Sequence, residues 1–200
     1  MDSGIRTAHL RALALAQSVL DQVRPEQLDQ PTPCADWTLR RLLAHVIGQN
    51  HGFAQAALGH GADLAVWADR EVGEDPAGDF AASADALAAA FAHAVEHGES
   101  LQLPEILVGH AFPAEQAIGF QFVDTLIHAW DVAVAVGAPL SCPDDLAELL
   151  LRISRQVPVT PESRRPGQAF APVVDTARAS AFDRALALLG RDPDRTPARP

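Results

Sequence analysis

The residues with the clearest chemical potential lie in the segment FQFVDTLIHAWDVAVA, which carries Asp124, His128 and Asp131 at i, i+4 and i+7. In an α-helix those spacings stack all three on one face. The same segment holds Phe120, Phe122, Val123, Leu126, Ile127, Trp130, Val132 and Val134. It is apolar almost all round and belongs in the centre of a helical bundle. A carboxylate and an imidazole on such a helix are costly to bury unless they pair or bind a metal. One helical turn apart, they form a two-ligand clamp for Zn²⁺ or another divalent ion. The same spacing also suits a metal-free Asp–His pair, or a face turned to solvent.

A metal would need a third ligand. The segment LRRLLAHVIGQN offers His45 among Leu42, Leu43, Val46 and Ile47. A lone histidine on an apolar face is usually a satisfied core residue, yet bundle cores also build metal sites from facing helices in this way. His93 and His97 form a second i, i+4 pair beside Gly98, which reads as a surface pair near a helix C-terminus. His51 points elsewhere on its helix, and His9, His60 and His110 show no partner in the sequence. Cys34 and Cys142 are far apart and read as free thiols, with Cys34 in a loop just before the His45 helix.

The rest of the composition narrows the chemistry. All 15 basic residues of the 200 are arginine, and tyrosine is absent. Lysine Schiff bases and P-loop lysines are therefore excluded. There is no GxGxxG, Walker A, GxSxG, HExxH or CxxC motif. The net charge of −11 argues against nucleic acid and anionic membranes as partners. No apolar run is long enough to span a bilayer and no signal peptide is legible, so the expected location is cytoplasmic.

The elements that must position these residues are helical. Residues 5–23 carry Leu10, Leu13, Ala14 and Leu20 on one side, and Arg24-Pro25 closes the run. A proline-rich loop follows, after which Asp36 or Thr38 caps a helix over 39–58. Residues 59–78 read as an acidic, solvated stretch. Helices are expected over 80–96, 113–136 and 143–157, with a short extended connection over 99–111. Residues 158–174 are irregular and rich in proline. Asp175 or Thr176 opens a last helix to Leu189, and the tail from Arg191 frays. The fold class is all-α, a four-helix bundle over 1–157 with a C-terminal segment over 158–200 that includes the final helix.

Two segments resemble a known family. TPCADWTLRRLLAHVIGQNHGFAQAALG is similar to the second-helix signature of DinB-like proteins, in the actinobacterial branch related to the metal-binding domain of mycothiol-dependent maleylpyruvate isomerase. FVDTLIHAWDVAVAVG resembles the third-helix signature of that branch, and GQAFAPVV with DRALALLGRDP resembles its short C-terminal ending. The resemblance implies a DinB-like four-helix bundle with additional short C-terminal helices and a divalent metal, zinc or nickel, near one end. Carried onto this chain, the implied ligands are His45, Asp124 and His128. The sequence departs from the family where the isomerases carry glutamate and this chain has Asp124. It also looks too short for the isomerase's full C-terminal domain.

The resemblance further implies a metal-dependent thiol transferase or isomerase that uses a low-molecular-weight thiol such as mycothiol on a small-molecule substrate. Asp131 is the candidate to orient a ligand imidazole, or to pair with Arg40 or Arg41. Trp37 and Trp130 read as core packing. Arg40, Arg41, Arg164 and Arg165 are possible anchors for an acidic ligand. Two other readings stand beside this one: a non-catalytic metal-binding or partner-binding bundle, and a metal-dependent hydrolase with Asp131 as base. A homodimer through bundle faces is compatible with such a fold.

Overall fold

The computed structural model describes residues 4–34, 37–165 and 168–195. It divides into two compact units, Met1–Pro139 and Leu140–Pro200. The first holds four helices: α1 (Gly4–Leu20), α2 (Leu39–Ala57), α3 (Pro76–Glu96) and α4 (Ala114–Val136). Helix α1 packs on α3 and α4, and α2 packs on the same two. The expected all-α bundle is therefore present. Among the described residues it is accompanied by an antiparallel pair of three-residue strands, β1 (Ser100–Gln102) and β2 (Ala111–Pro113), with Leu101 opposite Phe112.

Local signals set the helix ends. Thr38 caps α2 by accepting from the Arg41 amide at 3.3 Å, while Asp36, the other candidate cap, lies outside the described residues. Helix α3 starts at Pro76, earlier than the expected residue 80. Asp75 caps it through the Gly78 amide at 3.0 Å, and proline at the first helical position lacks the N–H that would be unsatisfied there. Gly137 closes α4 in the left-handed region, with φ of 72°.

Helices α2 and α4 run antiparallel, and their contacts form rungs. His45 faces His128, with ring centroids 5.5 Å apart. Lower down, the Gln121 amide donates to Asn50 Oδ1 at 2.8 Å, and Asn50 Nδ2 donates to Ser83 Oγ on α3 at 2.9 Å. Below that the seam becomes apolar. Phe53, Leu87, Phe91, Leu101, Phe112 and Ile118 form one core cluster that closes this end of the bundle. The histidine rung thus lies at the N-terminal half of α2 and the C-terminal half of α4.

The stretch after α2 is not simply a solvated loop. It contains a short 3₁₀ helix, Leu64–Trp67, whose tryptophan is buried and donates from Nε1 to the Gly61 carbonyl at 2.9 Å. Gly48 and Gly52, one turn apart on α2, make room for it. A Cβ on Gly48 would stand 2.7 Å from the Ala68 carbonyl oxygen, and one on Gly52 would enter the Trp67 ring. The Arg70 amide then donates to the Ala44 carbonyl at 2.9 Å. Residues 67–70 are therefore laid flat along α2.

The second unit pairs α5 (Asp144–Ser154) with α6 (Ala181–Leu188). Helix α5, which the sequence grouped with the bundle up to residue 157, falls in this unit. The last helix begins later than Asp175 or Thr176 suggested. Ser180 is its cap, accepting from the Asp183 amide at 3.0 Å and donating to the Asp183 carboxylate at 2.7 Å. The tail is not frayed at its start, because Arg191 is buried and Arg178 pairs with Asp194 at 2.6 Å. Residues 196–200 lie outside the described residues.

Gly52→Ala gains roughly 1 kcal/mol of helix propensity but forces the Trp67 ring out of its seat. Overpacking typically costs about 1–3 kcal/mol, so the net effect is destabilising. Urea unfolding should show a lower midpoint together with altered tryptophan emission.

Candidate metal centre

His128 is the hub of the histidine rung. It sits on α4 and is buried, with both ring nitrogens engaged. Nε2 lies 3.4 Å from Asp124 Oδ1 and Nδ1 lies 3.0 Å from Asp131 Oδ2. Helical spacing alone brings this about, since Asp124 is one turn before and Asp131 one turn after. Asp131 has no solvent exposure at all, so its carboxylate is a fixed orienting group. Arg40 lies 3.8 Å from Asp29, and Arg41 sits over the Trp37 ring at 4.8 Å.

His45 enters from α2 and completes the cluster. One ligand atom each from His45, Asp124 and His128 lies within 4.8 Å of the others. In a tetrahedral zinc site with bonds of about 2.0–2.1 Å, donor atoms stand roughly 3.3 Å apart. The 3.4 Å between His128 Nε2 and Asp124 Oδ1 already matches that separation. Small side-chain rotations would bring in His45. The donor set of two imidazoles and one carboxylate therefore fits a divalent ion.

Electrostatics separate the two histidines. Burial lowers the pKa of His45, opposed by Asp124, Asp69 and Glu105 and assisted by His128, and the net shift is downward. Its imidazole is thus neutral, the form that binds metal. Burial also pulls down on His128, but Asp124 and Asp131 together outweigh it and raise the pKa to about 9. In the metal-free protein this ring is a cation clamped between two carboxylates.

Four neighbours were not legible as parts of this cluster. Asp69, on the segment pinned along α2, places Oδ1 3.5 Å from His45 Nδ1. Glu105 follows β1 and accepts from Gln49 Nε2 at 3.0 Å, near enough to His45 to act on its charge. Trp37 is not core packing: it is half-buried, meets His45 edge-on at 4.9 Å and stacks against His128 at 6.5 Å. Cys34 is half-buried and forms a second gathering with His128 and Asp131, again within 4.8 Å. The sequence carried only a faint signal for these four, the position of Cys34 and Trp37 just before α2.

The remaining candidates lie elsewhere. Trp130 is in the core. His93 and His97 are exposed and stack on each other at 4.1 Å. His9 is buried edge-on to Phe91, and burial pushes its pKa down to about 4. The Arg164 guanidinium donates to the Pro158 and Ala171 carbonyls at 2.8 and 3.0 Å.

Residues 10–133 match the family model described as the mycothiol maleylpyruvate isomerase N-terminal domain. Proteins from two strains of Mycobacterium tuberculosis, each named only as an uncharacterized protein, are 34% identical to the chain over 167 residues, which is 82% of this chain and 84% of theirs. Among solved structures, the mycothiol-dependent maleylpyruvate isomerase aligns at 19% identity and a TM-score of 0.51, covering 96% of this chain and 90% of that one. A histidine-to-alanine variant of that enzyme aligns at 18% identity and a TM-score of 0.53, with the same coverage. The alignment runs well past the bundle, although the sequence looked too short to match the isomerase's C-terminal part. No helix among the described residues is long and apolar enough to cross a membrane.

In the metal-free protein, the His128 resonances should titrate near pH 9 by NMR. Because that value lies above the ordinary 6.5, the stabilisation from this cluster is complete below about pH 6.5 and is lost as the pH rises through about 9. Asp131→Asn should move the titration downward and flatten this part of the stability profile.

Proposed function

The chain belongs to the mycothiol maleylpyruvate isomerase N-terminal domain family, and from that membership we propose that it is a divalent-metal-dependent enzyme of the thiol-transferase or isomerase type. Its cosubstrate on this reading is a low-molecular-weight thiol such as mycothiol, and its substrate is a small electrophile. The observation that carries the reading is the convergence of His45, Asp124 and His128 from two facing helices. Zinc or nickel suits this donor set, and three protein ligands leave a position open to a small molecule.

A divalent ion bound there would lower the pKa of a thiol and favour its nucleophilic thiolate form. The chain's own residues would do the rest. His45, Asp124 and His128 would hold the ion. Asp131 fixes the His128 ring through Nδ1 and leaves Nε2 aimed at the site. Asp69 steadies His45 through Nδ1. Glu105, which accepts from Gln49 and adds negative charge near His45, is the carboxylate proposed here to take up the proton that the thiol releases. Trp37 covers both imidazoles and excludes water from one side.

Elemental analysis of untagged protein tests the centre. About one zinc or nickel per chain is expected, lost in His128→Ala and weakened by roughly 10–100-fold in affinity in Asp131→Asn. Thiol-dependent turnover of electrophiles should then vanish on chelation and return with metal. Protein that neither contains nor takes up metal defeats the proposal. Bound metal without any chelator-sensitive thiol reaction turns the centre into a non-catalytic module.

A further inference from the structure

Beside the metal centre, along the N-terminal half of α2, lies a cleft of about 320 Å³. Arg40 and Arg41 line it from the first turn of α2, and Arg70 lines it from the segment pinned against that helix. Three arginines along one cleft are a strong concentration in a chain of net charge −11. Two carboxylates oppose them: Glu71 lines the cleft, and Asp29 lies 3.8 Å from Arg40 Nε.

The cleft is built into the fold. Gly48 permits the close approach of residues 68 and 69 to α2, and the Arg70 amide is tied to the Ala44 carbonyl at 2.9 Å. The Arg41 guanidinium lies over the Trp37 ring, 4.8 Å from its centroid, a cation–π contact that restrains it before any ligand arrives. The cleft also adjoins the metal centre through consecutive residues. Asp69 meets His45 at 3.5 Å, and the next residue, Arg70, lines the cleft. Arg41 and His45 are one turn apart on α2 and share Trp37 as a neighbour.

We propose that this cleft is an oxyanion subsite, in which Arg40, Arg41 and Arg70 hold a carboxylate or phosphate group of the ligand whose reacting end lies at His45. Guanidinium forks bind both groups by paired, charge-assisted hydrogen bonds. The role as half of a larger site rests on the metal-centre reading above, whereas the binding of a free anion does not.

The test uses the full chain, metal-free and metal-loaded, titrated with acetate and with inorganic phosphate against chloride at matched ionic strength. Calorimetry gives the affinity, and the arginine side-chain NMR signals give the place. Saturable binding that shifts the Arg41 and Arg70 signals is expected. The Arg41→Gln/Arg70→Gln variant should weaken it by at least about tenfold, while Arg152→Gln on α5 leaves it unchanged. Arg70→Gln alone keeps the Trp37 stack and guards against a folding defect, and it should still weaken binding. A preference for acetate marks the ligand as a carboxylate, and one for phosphate marks it as a phosphoryl compound. No saturable binding, or binding that Arg70→Gln leaves untouched, overturns the proposal. Anion binding in a protein that takes up no metal defeats the metal-centre reading and leaves the subsite standing.

Discussion

The arrangement of the histidine rung turns on the hydrogen bond between His128 Nδ1 and the fully buried Asp131 carboxylate. A buried carboxylate without a cation would cost several kcal/mol. A buried imidazolium without carboxylates would do the same. Each makes the other tolerable, and the pair fixes which nitrogen of His128 looks inward and which looks towards Asp124. The α2–α4 seam is then graded along its length: charge at the His128 rung, neutral amides at Gln121 and Asn50, and hydrocarbon below. The gradient places the most polar rung at one end of the seam and lets the opposite end close as ordinary core.

The architecture and half of the site were legible in the sequence because both are periodic. Asp124, His128 and Asp131 lie on one helix, so their mutual geometry follows from 3.6 residues per turn. The apolar positions around them said that this helix is central. The facing of His45 and His128 is a tertiary fact: residue type and helix pattern left it as one option, and the family resemblance singled it out. Asp69, Glu105 and Trp37 lie on connecting segments, where sequence spacing carries no rule for where a side chain ends up. Asp69 was hidden further, because it is one of several acidic residues in a stretch whose composition reads as solvent-facing.

Other differences trace to competing local signals. Asp75-Pro76 is a cap followed by a first-position proline, yet the acidic run around it suggested a loop. In the last helix, Asp175, Thr176 and Ser180 all have capping chemistry. Ser180 prevails because Asp183, three residues on, completes reciprocal hydrogen bonding with it. Helix α5 has a strong apolar face, and periodicity cannot say which neighbour covers that face. Its partner proves to be α6.

The close seating of residues 67–70 on Gly48 and Gly52 also bears on how fast a ligand could arrive. A wall held by a buried indole and a backbone hydrogen bond is a standing surface rather than a flap. A small molecule approaching this side of α2 meets a shape that already exists and waits for no opening motion. Encounter there is governed by diffusion and by the local field of the arginines. Discrimination between ligands must then arise from how long each one stays.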